Sequence, residues 1–152
     1  MKQSYILAAF VAVSFLTACG EKEDAKPSPD MTVELTAVVD GAQQADAKGP
    51  APVTTSATGT FTGTYTKVGT VQKLNYTIVY QGLTPTIAHI HTGAPGTAGA
   101  VAIPFTNLAS PITGTFTLSP EQAENLLNNR MYVNIHTAAY GGGEIRGDIK
   151  KK

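Results

Sequence analysis

The chain has 152 residues and carries 11 basic and 11 acidic side chains, a formal net charge of zero. That balance lacks the electrostatic footprint of a nucleic-acid-binding protein, so no nucleic-acid partner is expected. A single Cys, Cys19, rules out an intrachain disulfide, and the length suits one domain with a modest core rather than two.

The N-terminus opens with Met1-Lys2 and continues into an apolar run from Tyr5 to Leu16, broken only by Ser14. A bilayer span takes roughly 20 residues, so this run is too short to cross one and has the size of a secretory signal core. It leads into Leu16-Thr17-Ala18-Cys19-Gly20. This segment resembles the bacterial lipobox, in which small residues fit the signal peptidase and the Cys thiol takes up diacylglycerol. Residues 1–18 are therefore expected to be a cleaved lipoprotein signal peptide, and Cys19 the lipidation site. Two or more acyl chains hold a protein stably to a membrane, where one binds only marginally. Residues 19–30 contain Glu21-Lys22-Glu23-Asp24, Pro27 and Pro29 without an apolar period, and read as the lipidated Cys and a flexible tether. A Lys followed by two acidic residues just after the anchor is similar to a cell-surface address of some diderm bacteria; a merely solvated tether is the alternative. The expected location is the outer membrane or cell surface, with the membrane engaged through the N-terminal lipid. Lys150 to Lys152 read as a solvated tail.

From residue 31 to 152 the composition turns to Thr, Val, Gly and aromatics, the residues of strands and turns. Thr32 to Val39 reads as a first strand, and residues 40–57, with Gly41, Gly49, Pro50 and Pro52, as a long loop. Thr58 to Thr66 alternates strictly, with Phe61 and Tyr65 on one face and threonines on the other. Leu74, Tyr76, Ile78 and Tyr80 repeat the pattern, and Gly69 between the two strands predicts a hairpin. These aromatics are expected in the core. Further strands are predicted at Thr86–Thr92, Val101–Phe105, Ile112–Leu118, Met131–Thr137 and Glu144–Lys150. Ser119-Pro120-Glu121-Gln122 has the form of a capping box with Pro at the first helical position, and Ala123, Leu126 and Leu127 supply an apolar face. One short helix ending at Asn128-Asn129 follows. The fold class is all-β: an immunoglobulin-like or Greek-key β-sandwich or barrel of about eight strands with one short helix.

All three histidines fall in two short motifs. In Ala88-His89-Ile90-His91-Thr92-Gly93-Ala94-Pro95-Gly96, strand geometry projects His89 and His91 to one side and Ile90 to the other. In Tyr132-Val133-Asn134-Ile135-His136-Thr137, Tyr132, Asn134 and His136 share a face opposite Val133 and Ile135. A third motif, Gly141-Gly142-Gly143-Glu144-Ile145-Arg146-Gly147-Asp148-Ile149, sets Glu144, Arg146 and Asp148 against Ile145 and Ile149, behind a glycine-rich hairpin turn.

These three motifs, with the Leu118-Ser119-Pro120-Glu121-Gln122 helix start, resemble the CHRD domain over roughly residues 32–149. That domain takes its name from chordin, an extracellular antagonist of bone morphogenetic proteins, and also occurs in microbial secreted proteins. The resemblance implies an immunoglobulin-like or related β-barrel outside the cell and no settled biochemical activity. Chordin's growth-factor role does not carry over to a bacterial lipoprotein.

Three readings of the polar residues follow. As a metal site, His89, His91 and His136 supply three nitrogens, with Glu144 or water as a fourth ligand, a set that suits Zn²⁺ or Cu²⁺. The His-X-His strand is similar to the copper-binding strand of copper/zinc superoxide dismutases, but too few histidines and no disulfide argue against dismutase activity. As a structural network, Asn134, Glu144, Arg146 and Asp148 join the histidines in hydrogen bonds and ion pairs, with Arg146 pairing Glu144 or Asp148 or donating to loop carbonyls. As a binding module, the loops 93–100 and 137–143, expected at one end of the barrel, meet a protein or glycan partner. With no nucleophilic Cys and no serine elbow, an enzyme is not expected. The favoured reading is a lipid-anchored, non-enzymatic envelope or cell-surface binding or structural module, with a three-histidine Zn or Cu protein as the alternative.

Overall fold

The computed structural model describes residues 30–152. The expected signal peptide, Cys19 and the tether up to Pro29 lie outside the described residues. The elements in chain order are β1 (Met31–Asp40), a 3-10 turn (Gly41–Gln43), β2 (Ala45–Asp46), β3 (Gly49–Pro50), β4 (Thr58–Val68), β5 (Val71–Gln81), β6 (Ile87–Thr92), β7 (Val101–Pro104), β8 (Ile112–Thr117), α1 (Pro120–Leu127), β9 (Met131–His136), β10 (Ile145–Asp148) and β11 (Lys150–Lys151). Among them no helix is long and apolar enough to cross a membrane.

Eight strands form one continuous antiparallel path in the order β7-β6-β9-β10-β1-β4-β5-β8, with β11 added against β1 and a separate small β2–β3 hairpin. Between the sandwich and barrel alternatives, this single curled sheet is a nearly closed barrel. The order is Greek-key in character: β1 sits between β10 and β4, and the chain crosses from β8 to β9 by way of α1.

The alternation in the sequence becomes the barrel's inside and outside. Leu35, Val39, Phe61, Leu74, Ile78, Ile90, Val133, Ile135 and Ile145 point inward into one core. The threonines of β4 face out. The inward positions also explain why Thr-Gly-Thr-Phe-Thr occurs twice, at 58–62 and at 113–117. Gly63 and Gly114 lie directly across from Tyr76 on its two neighbouring strands, and Gly59 lies across from Tyr80. Alternating the smallest residue with a large ring fits the taper of a small barrel. Tyr76 and Tyr80 stay half-buried, with the Tyr80 hydroxyl donating to the Leu108 carbonyl.

The helix has the predicted start: Gln122 N–H donates to Ser119 Oγ at 3.1 Å and Ser119 N–H to Gln122 Oε1 at 2.9 Å. It buries Ala123 and Leu126 against the core and stops at Asn129, whose left-handed backbone (φ 56°) ends helices readily. Three expectations need correction. The long loop at 40–57 contains the 3-10 turn, capped by Asp40 Oδ1, and the β2–β3 hairpin. The last strand is two pieces, because the chain leaves β9 at Asp148 and crosses to β1. Lys150 and Lys151 therefore pair through their backbone with Thr36 and Leu35 instead of forming a free tail, although their side chains remain exposed.

Gly147 is where β10 presses closest on β1. A Cβ there would sit 2.6 Å from the Val38 carbonyl oxygen and 2.7 Å from Val39 Cγ2. Backbone cannot yield as a side-chain tip can, so Gly147→Ala is expected to cost about 1–3 kcal/mol by overpacking. Gly142→Ala, where a Cβ meets nothing within 4 Å, should stay within about 0.5 kcal/mol of the parent. Urea unfolding midpoints of the two variants check this; equal midpoints would contradict it.

Candidate metal centre

The site grows from the pairing of β6 with β9, and β9 with β10. The register sets His91 opposite Tyr132 and His89 opposite Asn134, while Asn134 lies opposite Arg146 and Tyr132 opposite Asp148. Ala88, Ile90, Val133, Ile135 and Ile145 occupy the inner face. The histidines and their polar neighbours therefore lie on the outer face, which would ordinarily meet water. Here three loops roof it: residues 41–57, 93–100 and 137–143. Beneath them Arg146 is 0% exposed, Asn134 4%, and His91 and Glu144 8% each. The loops 93–100 and 137–143 were expected at the same end of the barrel. They follow the C-terminal ends of two antiparallel neighbours, Thr92 lying across from Met131 and His136 across from Ile87, so they reach the site from opposite ends.

Arg146 organises the roof. Its Nε and Nη2 donate to Asp148 Oδ1 at 2.9 and 2.7 Å, Nη1 to the Thr97 carbonyl at 2.8 Å and Nη2 to the Ala94 carbonyl at 3.2 Å. Of the alternatives read from the sequence, Asp148 is the ion-pair partner, and the loop carbonyls accept as well. The guanidinium carbon lies 3.6 Å from the Tyr132 ring centroid, a cation–π contact that desolvation strengthens. The Tyr132 ring stacks in turn on His91, with centroids 4.9 Å apart and planes 5° from parallel. Gly99 N–H donates to the Tyr132 hydroxyl at 3.0 Å.

Asn134 and Glu144 tie down the other two loops. Asn134 Oδ1 accepts from Gln44 Nε2 at 2.8 Å, and Asn134 Nδ2 donates to the Gly142 carbonyl at 3.3 Å. Gly143, with φ +117°, leaves room for that amide: a Cβ there would fall on the Asn134 side chain. Thr55 and Thr137 each donate a hydroxyl to the Glu144 carboxylate at 2.7 Å. Glu144, expected as a fourth metal ligand, is thus committed to two hydroxyls and stands outside the histidine cluster.

The histidines are different, because each keeps one nitrogen without a partner. His91 Nδ1 lies 2.9 Å from the Gly99 carbonyl and His136 Nδ1 3.0 Å from the Gly141 carbonyl. A carbonyl can only accept, so both Nδ1 atoms carry the proton, and the neutral ring leaves a lone pair on Nε2. Both Nε2 atoms and His89 Nδ1 are buried with no hydrogen-bond partner among the described residues. His89 lies edge-on to His91 and to His136, with ring centroids 5.2 and 5.3 Å apart. The three residues offer one ligand nitrogen each within 4.8 Å of one another. With metal–nitrogen bonds of about 2.0–2.1 Å, closing on a common ion needs each ring to move by less than about 1 Å. Backbone carbonyls holding the second ring nitrogen are the usual way a protein fixes a histidine ligand's tautomer and direction.

Burial lowers the pKa of His89, and the neighbouring charges of His91 and His136 lower it further. Burial also lowers that of His91, opposed by its bond to Gly99 and reinforced by His136 and Arg146. Both rings are therefore held neutral and ready to donate a lone pair.

The sequence pointed to the histidines, Asn134, Arg146 and Asp148, and the structure brings all of these onto one face. It did not point to Gln44 and Thr55, which arrive from the far end of the chain, nor to the stacking role of Tyr132. Only the shared period of Tyr132 with Asn134 and His136 signals the last.

Two consequences follow for stability. Arg146→Ala leaves Asp148 and two loop carbonyls without their donor; loss of one partner of a buried pair costs about 3–5 kcal/mol, and partial exposure of Asp148 (23%) places this case at the lower end. Chemical denaturation measures it, and a loss under 1 kcal/mol would show the network to be dispensable. The depressed histidines set a pH dependence of the metal-free protein. The unfolded chain takes up protons before the folded one, so this contribution is intact above the ordinary imidazole pKa of about 6.5 and is lost as pH falls through the folded values. Unfolding midpoints measured in chelator should drop through that window, and His89→Gln should flatten the drop.

Comparison with curated proteins gives no match, and comparison with solved structures gives none either. The family profile of the CHRD domain matches residues 35–149. This span runs from the core-facing Leu35 of β1 to Ile149 and takes in β2 to β10, most of β1 and every residue of the cluster. The chain belongs to the CHRD domain family.

Proposed function

We propose that this protein is a lipid-anchored CHRD module outside the cytoplasm that binds a transition-metal ion, Zn or Cu, through His89, His91 and His136. One observation carries the reading: each of the three rings keeps a buried nitrogen without a hydrogen-bond partner among the described residues, and the rings offer one nitrogen each within 4.8 Å of one another. A purely structural polar network satisfies its members, since a buried donor or acceptor left unpaired costs about 1–3 kcal/mol. Asn134, Glu144, Arg146 and Asp148 meet that standard. The histidines do not, and an ion accepting three lone pairs would satisfy all of them together. Their role in this reading is binding rather than catalysis.

The surrounding network then acts as support. Tyr132, pressed between contacts to Arg146 and His91, orients one ligand. The loop carbonyls of Gly99 and Gly141 orient two. These loops, candidates for a protein or glycan surface, also direct several backbone carbonyls inward to the polar cluster. The extracellular setting rests on the family and on the lipobox-like Leu16-Thr17-Ala18-Cys19 segment.

A ligand that binds only the folded state stabilises it by about 2.7 kcal/mol at 100 times its Kd. For a domain of this size that is a rise in Tm on the order of 10 °C. The full chain, purified in detergent without a polyhistidine tag, should show such a rise with Zn²⁺ or Cu²⁺ and lose it in EDTA. His91→Ala and His136→Ala should each abolish the metal response. A Tm indifferent to both metals would sink the proposal and leave the histidines as scaffold.

A further inference from the structure

We infer that the three-histidine site selects copper in its monovalent state over divalent zinc. The inference rests on the metal-binding reading above and goes on to the charge of the ion. Every donor the cluster offers is a neutral imidazole nitrogen. Among the described residues no carboxylate joins the cluster: Glu144 is held by Thr55 and Thr137, and Asp148 is neutralised by Arg146. A positive charge stands beside the cluster, the Arg146 guanidinium on the Tyr132 ring that stacks against His91. None of the three donors carries a charge to offset that of an entering ion.

The cost of burying an ion grows with the square of its charge, so a divalent ion pays about four times the penalty of a monovalent one. Zn²⁺ sites of three histidines normally complete a tetrahedron with water, hydroxide or another anion. Among the described residues no Cys, Asp or Glu side chain joins the three histidines to supply that fourth ligand. A monovalent copper ion is content with two or three nitrogen donors, needs no anion and matches imidazole, which serves copper as well as zinc. Neutral ligands and a nearby cation both favour the ion of lower charge.

The test uses the untagged full chain carrying Cys19→Ala, so that the thiol cannot supply the copper ligand. Under anaerobic reduction the protein competes for Cu(I) against bathocuproine disulfonate, read by absorbance, and for Zn²⁺ against a chromogenic zinc chelator. One Cu(I) per chain is expected, bound at least about tenfold more tightly than Zn²⁺, with the Cu(I) binding lost in His89→Ala and His136→Ala. X-ray absorption of the Cu(I)-loaded parent should show a nitrogen first shell with imidazole outer-shell scattering, a reading that holds even if a variant fails to fold. Zinc bound as tightly as Cu(I), or more tightly, would overturn this inference and leave the metal reading standing. Binding of neither ion would overturn both. A copper first shell of sulfur or oxygen would place the ion elsewhere and overturn the inference as well.

Discussion

A guanidinium with no exposed surface holds the outer face of this barrel together. Arg146 sits where a barrel strand should meet water, and its charge can stay there only because Asp148, two carbonyls of the 93–100 loop and the Tyr132 ring surround it. Each of those contacts also fixes something else. Drawing in the carbonyls of Ala94 and Thr97 curls the loop back over the sheet, and the curl delivers the Gly99 carbonyl to His91 and the Gly99 N–H to Tyr132. The conformation of that loop, the tautomer of His91 and the plane of its ring are thus consequences of burying one charge.

The same logic runs through the other two loops without an ion pair. Asn134 bridges Gln44 on one side and Gly142 on the other, and Glu144 bridges Thr55 and Thr137. Three segments that share no secondary structure are therefore tied to one strip of sheet by side-chain amides, hydroxyls and carboxylates. A barrel core of aliphatic and aromatic residues lies beneath, on the opposite faces of the same strands. The result is a two-sided wall: a dry core within and a satisfied polar layer without. The histidines are the exception in that layer, since they alone keep buried nitrogens without partners. In a layer where low dielectric makes an unpaired group costly, such an exception points to a ligand.

The barrel also explains why one short segment recurs in the chain. The recurrent Thr-Gly-Thr segments place threonines outward and glycines inward, and the inward glycines face Tyr76 and Tyr80 across the sheet. Two segments of the chain share a sequence because they face the same steric problem beside the same strand, β5, and both lie along it.

Most of the architecture was legible in the sequence. The alternation of β4 and β5, the capping box at Ser119, the shared face of His89 and His91 and the inward turn of Ile90 all follow from covalent geometry within a few residues, which acts whatever the rest of the chain does. What only the tertiary structure decided is non-local. The adjacency of β6 and β9 brings His136 to the His-X-His pair. The antiparallel register sends the two loops in from opposite ends. Thr55, far along the chain, claims Glu144 and removes it from the ligand set. No periodicity reports these, because hydrogen-bond partners across a sheet and the loops that cover it are chosen by the whole fold at once. The sequence by itself determined which side chains could stand together on a strand; the closed barrel decided which of them met, and which were left with a lone pair and no partner.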